Sequence, residues 1–447
     1  MAASKLLFLG TGSSSGVPSP LCLVGARQGS MGRGGLTPVV HGCKVRAITA
    51  RGRGLAREGP APQRVLRVAD ASLARVACAG SLSPLRQVCL SCAGRDPREC
   101  PNYRCNPSLL LLVRDEKGEE DARHRAVVQI DCCKTFRESM VRWFPEHGVD
   151  RLDAVVLTHE HADAIMGLDD VRLMQRTVKL EDYAKQKELV SSTCVWLTEH
   201  TWQTVSRVFP YLALANGMGS GLGNANSEAA GRPAVRRRVA QLNFAIMGAA
   251  IGEGARPFEP VPGVTMVPLP VWHGADYVCM GFCFGAEHTR VVYLSDISEL
   301  PAETEELIAA LCPAGIELLI VDALFYTREH NTHFNLPQTL KCVEQLSPRR
   351  ALCIGMTHDF DQDDVNSELR EWGAAHGGID VQLACDGLAV DGIDLQWHAE
   401  GAVRADDAAA APPEPEWRRA LDATRAAAAA VADDQPSALS VQSGVPN

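Results

Sequence analysis

Residues 155–170, VVLTHEHADAIMGLDD, join an aliphatic run to a cluster of residue types that bind metals. A short run of β-branched and aliphatic residues is typical of a buried strand, and His159, His161 and Asp163 follow it directly. Neutral imidazoles bind zinc, manganese or iron well, and a carboxylate adds a hard oxygen ligand. The spacing therefore predicts a metal site in the loop at the end of a strand.

Four further stretches repeat the pattern of an aliphatic strand followed by histidine or aspartate. They are AVVQID, VPLPVWH, VVYLSD and ALCIGMTH, which end in Asp131, His273, Asp296 and His358. Each stretch alone has an ordinary explanation, since an aspartate at a strand end often caps a turn or helix. Because strand ends can converge at one edge of a sheet, five such stretches in one chain predict a shared site.

The composition of the 447-residue chain limits the classes of function. A net charge of −10 and a pI of about 5.7 argue against a general nucleic-acid binder, because phosphate contacts need clustered Lys and Arg. The sequence shows neither an apolar run long enough for a transmembrane helix nor a secretory leader. Sixteen cysteines without a leader predict a reducing, cytoplasmic compartment.

Four segments differ in composition. Residues 1–22 are strand-like and then Gly- and Ser-rich, and residues 88–398 alternate strand and helix patterns, as α/β chains do. Residues 23–87 are basic and predict a low-order insertion, and residues 399–447 are Ala- and Pro-rich and predict a disordered tail. RNA binding is the alternative for the insertion, but it has no aromatic residues on which bases could stack.

The order of these motifs resembles the metallo-β-lactamase superfamily, in particular its branch of phosphoribosyl 1,2-cyclic phosphodiesterases, or PhnP-like proteins. The stretches that carry the resemblance are FLGTGSSSGVPSP, CNPSLLL, THEHADAIMGLDDVR, VVYLSDISELP, THFNLPQTL and THDFD. They lie within residues 1–22 and 88–392. The resemblance implies an α/β fold of the αββα metallo-β-lactamase type, a sandwich that here contains the basic insertion and is followed by the tail.

The resemblance also implies roles for the candidate residues. The first ion would be held by three histidines, His159, His161 and His273. The second ion would be held by Asp163 and His358, and Asp296 would bridge the two ions. Asp131 would orient the metal-binding loop without touching metal.

His333 and Asp163 complete the candidate catalytic residues. The resemblance implies that His333 protonates the leaving oxygen or binds phosphate. Ala164 departs from the two-metal pattern, which has histidine at that position and uses it for the second ion. Asp169 or Asp170 could supply a replacement oxygen, which would favour Mn²⁺, or both could simply start a helix. The expected cofactors are one or two zinc or manganese ions per active site.

A second, structural zinc is a further expectation. Cys89 and Cys92 have the spacing of a zinc knuckle, although one such pair is a weak signal. The resemblance implies a zinc held by three cysteines and a late histidine, and Cys22, Cys89 and Cys92 could supply the cysteines. The position of the late histidine is Asp361 in this sequence, so Cys100 is the candidate replacement.

These motifs predict a metal-dependent hydrolase that acts on a phosphodiester in a small cyclic phosphate or nucleotide. A bound cation lowers the pKa of its water from about 15.7 towards 7, which supplies hydroxide at neutral pH. The alternatives are a tRNA 3′-end-type endoribonuclease of the same superfamily and, because of Ala164, a non-catalytic metal-binding scaffold. Thioesters or lactones could also be attacked. The expected partner is a small-molecule phosphodiester rather than nucleic acid or membrane, and a homodimer is compatible with the sequence.

Overall fold

The described part of the chain leaves several gaps. The computed structural model describes residues 4–20, 22, 84–93, 95–114, 124–175, 177–178, 189–190, 192–214, 239–251, 254–397, 399 and 402–404. Most of the predicted insertion (23–87) and of the predicted tail (399–447) lies outside these residues. Within the predicted insertion a helix begins at Pro84, and within the predicted tail a strand covers Val403–Arg404. Among the described residues, no helix has the length and apolar character to cross a membrane.

Strands and helices alternate along the described chain. The strands are β1 (Ser4–Gly10), β2 (Ser108–Val113), β3 (Ala126–Ile130), β4 (Ala154–Val156), β5 (Thr177–Val178), β6 (Leu189–Val190), β7 (Thr193–Leu197), β8 (Leu242–Ile246), β9 (Ala249–Ala250), β10 (Gly254–Ala255), β11 (Phe258–Val261), β12 (Val264–Trp272), β13 (Val278–Phe284), β14 (Val291–Leu294), β15 (Leu318–Asp322), β16 (Arg350–Ile354), β17 (Asp380–Leu383), β18 (Ala389–Ile393) and β19 (Val403–Arg404). The α-helices are α1 (Pro84–Cys92), α2 (Phe136–Trp143), α3 (Ala162–Ile165), α4 (Glu199–Val208), α5 (Pro210–Leu214), α6 (Ala302–Leu311), α7 (Leu336–Leu346) and α8 (Gln362–Ala375). Short 3₁₀ helices cover Pro97–Glu99, Leu168–Met174 and Glu287–Thr289.

Two large sheets form the centre of the molecule. One has the strand order β18–β1–β2–β3–β4–β7–β8, and the other has the order β17–β16–β15–β14–β13–β12–β11–β19. In the first sheet β3, β4, β7 and β8 run parallel, and in the second β14, β15, β16 and β17 run parallel. Parallel strands place their carboxyl ends at one edge of the sheet, which is where α/β folds bind ligands.

Both faces of the central strands are buried, which explains their continuous aliphatic runs. Along β1, Leu6 and Phe8 face the core between the two sheets, whereas Leu7 and Leu9 face the layer of helices outside the first sheet. Side chains of α2 and α4 pack in that outer layer, and side chains of α6, α7 and α8 cover the outer face of the second sheet. The four layers confirm the predicted αββα sandwich.

The Gly-rich turn after β1 is packed tightly against the chain at residues 104–106. A Cβ atom on Gly10 would overlap the carbonyl oxygen of Asn106. The backbone N–H of Ser13 donates to the carbonyl of Met356 at 3.0 Å, and the N–H of Met356 donates to the carbonyl of Thr11 at 3.1 Å. The turn therefore ties β1 to the loop that follows β16.

Candidate metal centre

The loop after β4 is held by a carboxylate from the loop after β3. Asp131 accepts hydrogen bonds from the backbone N–H of Thr158 at 2.9 Å and from its hydroxyl at 2.9 and 3.0 Å. The Thr158 hydroxyl also lies 2.8 Å from Nδ1 of His159. Because the hydroxyl has one hydrogen, donation to Asp131 leaves its oxygen to accept from Nδ1–H. The carboxylate thereby orients the His159 ring through Thr158.

The strand ends bring the candidate ligands together. The ligand atoms of His159, His161 and His273 all lie within 4.8 Å of one another. Asp296, which follows β14, belongs to two more groups of this size. One group contains His159, Cys279 and Asp296, and the other contains His273, Asp296 and His333. Three histidines and one carboxylate thus surround one point at the edge of the sheets.

The donor atoms at this point fit a divalent cation. Nδ1 of His273 donates to the carbonyl of Thr332 at 2.7 Å, so its Nε2 carries the free lone pair. His159 is 2% exposed, and among the described residues its Nε2 has no hydrogen-bond partner. A buried ring nitrogen without a partner is costly unless it binds something else. The arrangement matches the neutral imidazoles that zinc and manganese use.

Electrostatics support the same assignment. Burial lowers the pKa of His159 to about 4, which keeps its ring neutral at pH 7. Burial alone would raise the pKa of Asp296, but its electrostatic interactions with the His159, His333 and His273 rings outweigh burial and hold that pKa at about 2. The centre therefore presents a neutral His159 ring beside an ionised carboxylate.

Asp163 lies on α3 near this centre. Burial, and then the charge of Asp296, raise the pKa of Asp163. None of the groups of candidate ligands found among the described residues within 4.8 Å includes Asp163. Ala164 is 2% exposed and packs in the apolar layer outside the first sheet, so this position offers no ligand.

Asp169 and Asp170 occupy the first turn of the 3₁₀ helix Leu168–Met174. The carboxylate of Asp169 pairs with Arg172 at 3.2 Å, and the N–H of Asp170 bonds to the carbonyl of Gly167. This pair of acidic residues thus starts a helix, which is the ordinary one of the two interpretations of the motif.

The structure places His358 beside two of the cysteines predicted to bind zinc. Its Nδ1 lies 3.2 Å from Sγ of Cys89 and 3.5 Å from Sγ of Cys22, and all three ligand atoms lie within 4.8 Å of one another. Among the described residues, no group of candidate ligands joins His358 to Asp163 or Asp296. His358 therefore lies beside the cysteines in this structure.

Contacts with residues 102–104 explain this placement. Arg104 is 1% exposed, and its Nη1 donates to the carbonyls of Thr357 at 3.3 Å and Phe360 at 3.1 Å. The side chain of Asn102 accepts from the N–H of Gln362 and donates to Asp361. These bonds hold the loop after β16 against residues 102–104, which follow Cys100 in the chain.

The four cysteines predicted to bind zinc share one buried cluster, and they divide into two pairs. They are Cys22, Cys89, Cys92 and Cys100. Cys22 and Cys89 approach His358, whereas the sulfur atoms of Cys92 and Cys100 lie 2.9 Å from each other. Asp361 caps α8 by accepting from the N–H groups of residues 363 and 364. His358, three residues before the position expected for the late histidine, thus lies beside Cys22 and Cys89.

Two residues beside the centre were not predicted from the sequence. Asp322, at the end of β15, is fully buried, and its Oδ2 lies 2.7 Å from Nδ1 of His333. The stretch LLIVD carries the same signal as the other strand ends and could have identified it. Tyr277 stacks on His161 with ring centroids 5.2 Å apart and an 8° angle between the planes, and no motif pointed to it.

Asp322 and His333 each alter the pKa of the other. Burial raises the pKa of Asp322 to about 6, although the charge of His333 opposes this. Burial would lower the pKa of His333, but Asp322 and Asp296 outweigh it and raise that pKa to about 9.

The sequence model of the family described as Beta-lactamase superfamily domain matches residues 127–356, which is more than half of the chain. The chain belongs to this family. The chain has the metallo-β-lactamase fold, and this fold implies that it binds a divalent metal. The grouped His and Asp residues described above are the candidate ligands.

Individual relatives are distant. An octanoyltransferase from Porphyromonas gingivalis (strain ATCC BAA-308 / W83) is 26% identical over 270 residues, which cover 60% of this chain and 42% of the relative. The chain therefore spans less than half the length of that relative. A crystal structure of a diphosphatase from the PhnP family is 22% identical with a TM-score of 0.51, covers 88% of this chain and 98% of its own, and shows the shared fold. YhfI from Bacillus subtilis, a metallo-beta-lactamase fold protein, is 14% identical with a TM-score of 0.44 and covers 65% of this chain and 93% of its own.

Proposed function

We propose that this metallo-β-lactamase-family chain hydrolyses a phosphodiester in a small cyclic phosphate or nucleotide. The observation that carries the proposal is the grouping of His159 with His161 and His273, together with the approach of His159 and His273 to Asp296. A divalent ion held there would act as a Lewis acid and would lower the pKa of a water molecule towards 7. The protein's part is to hold the ring nitrogens close together, with burial lowering the pKa values of His159 and His273 so that their rings are neutral.

Positively charged side chains near the centre favour an anionic substrate. Lys134 is exposed, and its charge lowers the pKa of Asp163, so the two lie within electrostatic reach. Arg328 is also exposed and lies on the loop that leads to His333, with its guanidinium carbon 3.6 Å from the centroid of the Phe325 ring. Cations placed around a reacting phosphate stabilise the charge that its oxygens carry. A carbonyl ester would gain less from them.

We further propose zinc or manganese for the histidine centre and zinc for the cysteine site. The histidine centre combines nitrogen and carboxylate donors, which suit either ion. Cys22, Cys89 and His358 offer two soft sulfur donors and one imidazole, a combination that selects zinc. The cysteine site would have a structural role, because its ligands join distant parts of the chain.

The test compares substrates on protein loaded with zinc or with manganese. We expect hydrolysis of bis(p-nitrophenyl) phosphate and of cyclic nucleotides, with about a 100-fold or greater loss in His159→Ala. His288→Ala, which changes an exposed histidine of the 3₁₀ helix Glu287–Thr289, is the matched control. Arg328→Ala should raise KM for the diester and leave the hydrolysis of p-nitrophenyl acetate unchanged.

Three outcomes would overturn the proposal. If metal-loaded protein hydrolyses none of these diesters, the chain is a metal-binding scaffold. If it cleaves only precursor tRNA, it is an endoribonuclease of the same superfamily. If it cleaves esters or thioesters faster than diesters, carbonyl compounds are its substrates.

A further inference from the structure

We propose that His333 takes the place of His358 as a ligand of a second ion in the candidate metal centre, and that Asp322 orients His333 for this role. The inference rests on the proposed function, since it concerns the same centre. It differs from the role of acid or phosphate binder that the resemblance implies for His333.

The binding position of the second ion lacks two histidines that the superfamily pattern supplies. Ala164 is buried in an apolar layer, and His358 faces Cys22 and Cys89. Only Asp163 and the bridging Asp296 would remain, and two carboxylates without an imidazole are a poor site for zinc. A replacement nitrogen donor has to come from another part of the fold.

His333 is placed to supply that donor. The ligand atoms of His273, Asp296 and His333 all lie within 4.8 Å of one another. The rings of His273 and His333 have centroids 4.7 Å apart and planes 78° apart, so their edges can face one point from two directions. The His333 ring therefore lies beside His273 and Asp296, and an ion bound there would be reached by Nε2, the ring nitrogen that Asp322 leaves free.

The surroundings of His333 match those of the other two buried ligands. Nδ1 of His159 meets the hydroxyl of Thr158, and Nδ1 of His273 meets the carbonyl of Thr332. Nδ1 of His333 meets the carboxylate of Asp322 at 2.7 Å. In each case an oxygen atom accepts a hydrogen bond from Nδ1–H, which leaves the lone pair of Nε2 for a metal ion. This is the usual arrangement behind a metal-bound histidine. A carboxylate is the acceptor that most increases the basicity of the ring.

The position of Asp322 is built into the fold. It ends β15 and is fully buried, and its Oδ1 has no hydrogen-bond partner among the described residues. A Cβ atom on residue 355 would overlap this Oδ1, so Gly355, whose φ is +76°, allows the close approach. The carboxylates of Asp322 and Asp296 lie 2.7 and 3.9 Å from Nδ1 of His333, and two carboxylates beside one imidazole attract a cation.

The test counts metal ions by elemental analysis after chelation and reloading with Mn²⁺ or Zn²⁺. The difference in metal content between the wild type and the double variant His159→Ala/His161→Ala gives the number of ions in the histidine centre. The cysteine site is intact in all variants and does not change this difference. We expect His333→Ala and His333→Asn to bind about one ion fewer than the wild type. Asp322→Asn should weaken binding of that ion about 10–100-fold. His330→Ala, an exposed histidine on the same loop, should retain every ion.

The outcomes separate this inference from the proposed function. If both His333 variants keep the full metal content and lose kcat, His333 acts on the substrate and the inference is overturned. If the wild-type centre holds a single ion that the His333 variants keep, the inference also fails while the proposed function stands. If His159→Ala/His161→Ala loses no metal, the proposed function fails with it. Circular dichroism of each variant shows whether it is folded, and two substitutions at His333 guard against a single misfolded variant.

Discussion

Nδ1 of His358 lies 3.2 Å from Sγ of Cys89, across 269 positions of sequence. This contact joins α1 to the loop after β16, the loop that also pairs with the turn after β1. A zinc ion held here would crosslink these two segments of the chain. Metal binding of this kind contributes directly to folding free energy.

Cys89→Ala and His358→Ala should therefore have the same effect. Each should lose about one zinc ion per chain and lower the melting temperature, because the same ligand set is broken. Cys342→Ala, which changes a buried thiol of α7 outside the cluster, should keep its zinc. Elemental analysis and thermal unfolding measure both effects. Loss of catalysis in His358→Ala with no loss of zinc would return His358 to the active site.

A second prediction concerns Asp131 and Thr158. Asp131 has a φ of +58°, in the left-handed region, which asparagine tolerates better than most residues. Asp131→Asn should therefore fold and yet bind metal about 10–100-fold more weakly, because the acceptor behind Thr158 and His159 is weakened.

Two variants of Thr158 test the same chain of hydrogen bonds from Asp131 to His159. Thr158→Ser keeps the hydroxyl that contacts Asp131 and His159, whereas Thr158→Val keeps the shape and removes the hydroxyl. We expect the serine variant to retain the metal affinity of the wild type. The metal affinity of the valine variant should fall to that of Asp131→Asn. Competition with a chromogenic chelator measures the affinities. Equal affinities of the two Thr158 variants would show that the hydroxyl does not orient the ring.

Arg104 provides a third prediction, about stability. Its guanidinium is buried and donates to the carbonyls of residues 357 and 360 and to the side chains of Asn102 and Gln362. Arg104→Ala should lower the free energy of unfolding by about 2–4 kcal/mol, because buried acceptors lose their donors. Arg98→Ala, an exposed arginine paired with Asp96 and Glu146, should show no measurable change. Urea unfolding measures both, and equal effects would mean that Arg104 does not hold the loop.

The strand ends could be predicted from the sequence because strand patterning is local. The alternation of Leu6 and Phe8 with Leu7 and Leu9 follows from the two-residue period of a strand with both faces buried. The same pattern marks which residues lie at the edge of a sheet. It also marks Asp322, which was missed because no motif of the resembled family drew attention to it.

The direction of a loop could not be predicted in this way. The pattern before His358 shows that it follows a strand, and nothing local shows which way the chain then turns. That turn depends on Arg104 and Asn102, which lie more than 250 positions away and contact residues 357–362. The pairing of His358 with Cys22 and Cys89 is thus a property of tertiary structure.

The last prediction concerns pH and Asp386. Asp386 is partly buried, and it accepts from the N–H of Thr11 at 2.9 Å and from the N–H of Cys105 at 2.7 Å. Burial raises its pKa from the ordinary 3.8 to about 6, although these hydrogen bonds oppose the shift. The unfolded chain releases this proton near pH 3.8 and the folded chain near pH 6. Between these values the folded state holds the extra proton, so the free energy of unfolding falls as pH rises and levels off above about pH 6.

Asp386→Asn should remove this contribution, because an amide does not titrate. The free energy of unfolding of the wild type should fall by about 1–2 kcal/mol relative to the variant between roughly pH 4 and 6, after allowance for solvent screening. Asp391→Asn, which changes an exposed carboxylate paired with Lys5, should follow the wild type in slope. Urea unfolding at a series of pH values measures all three curves. Parallel curves for wild type and Asp386→Asn would mean that this carboxylate titrates near its ordinary pKa, and that its bonds to Thr11 and Cys105 compensate for its burial.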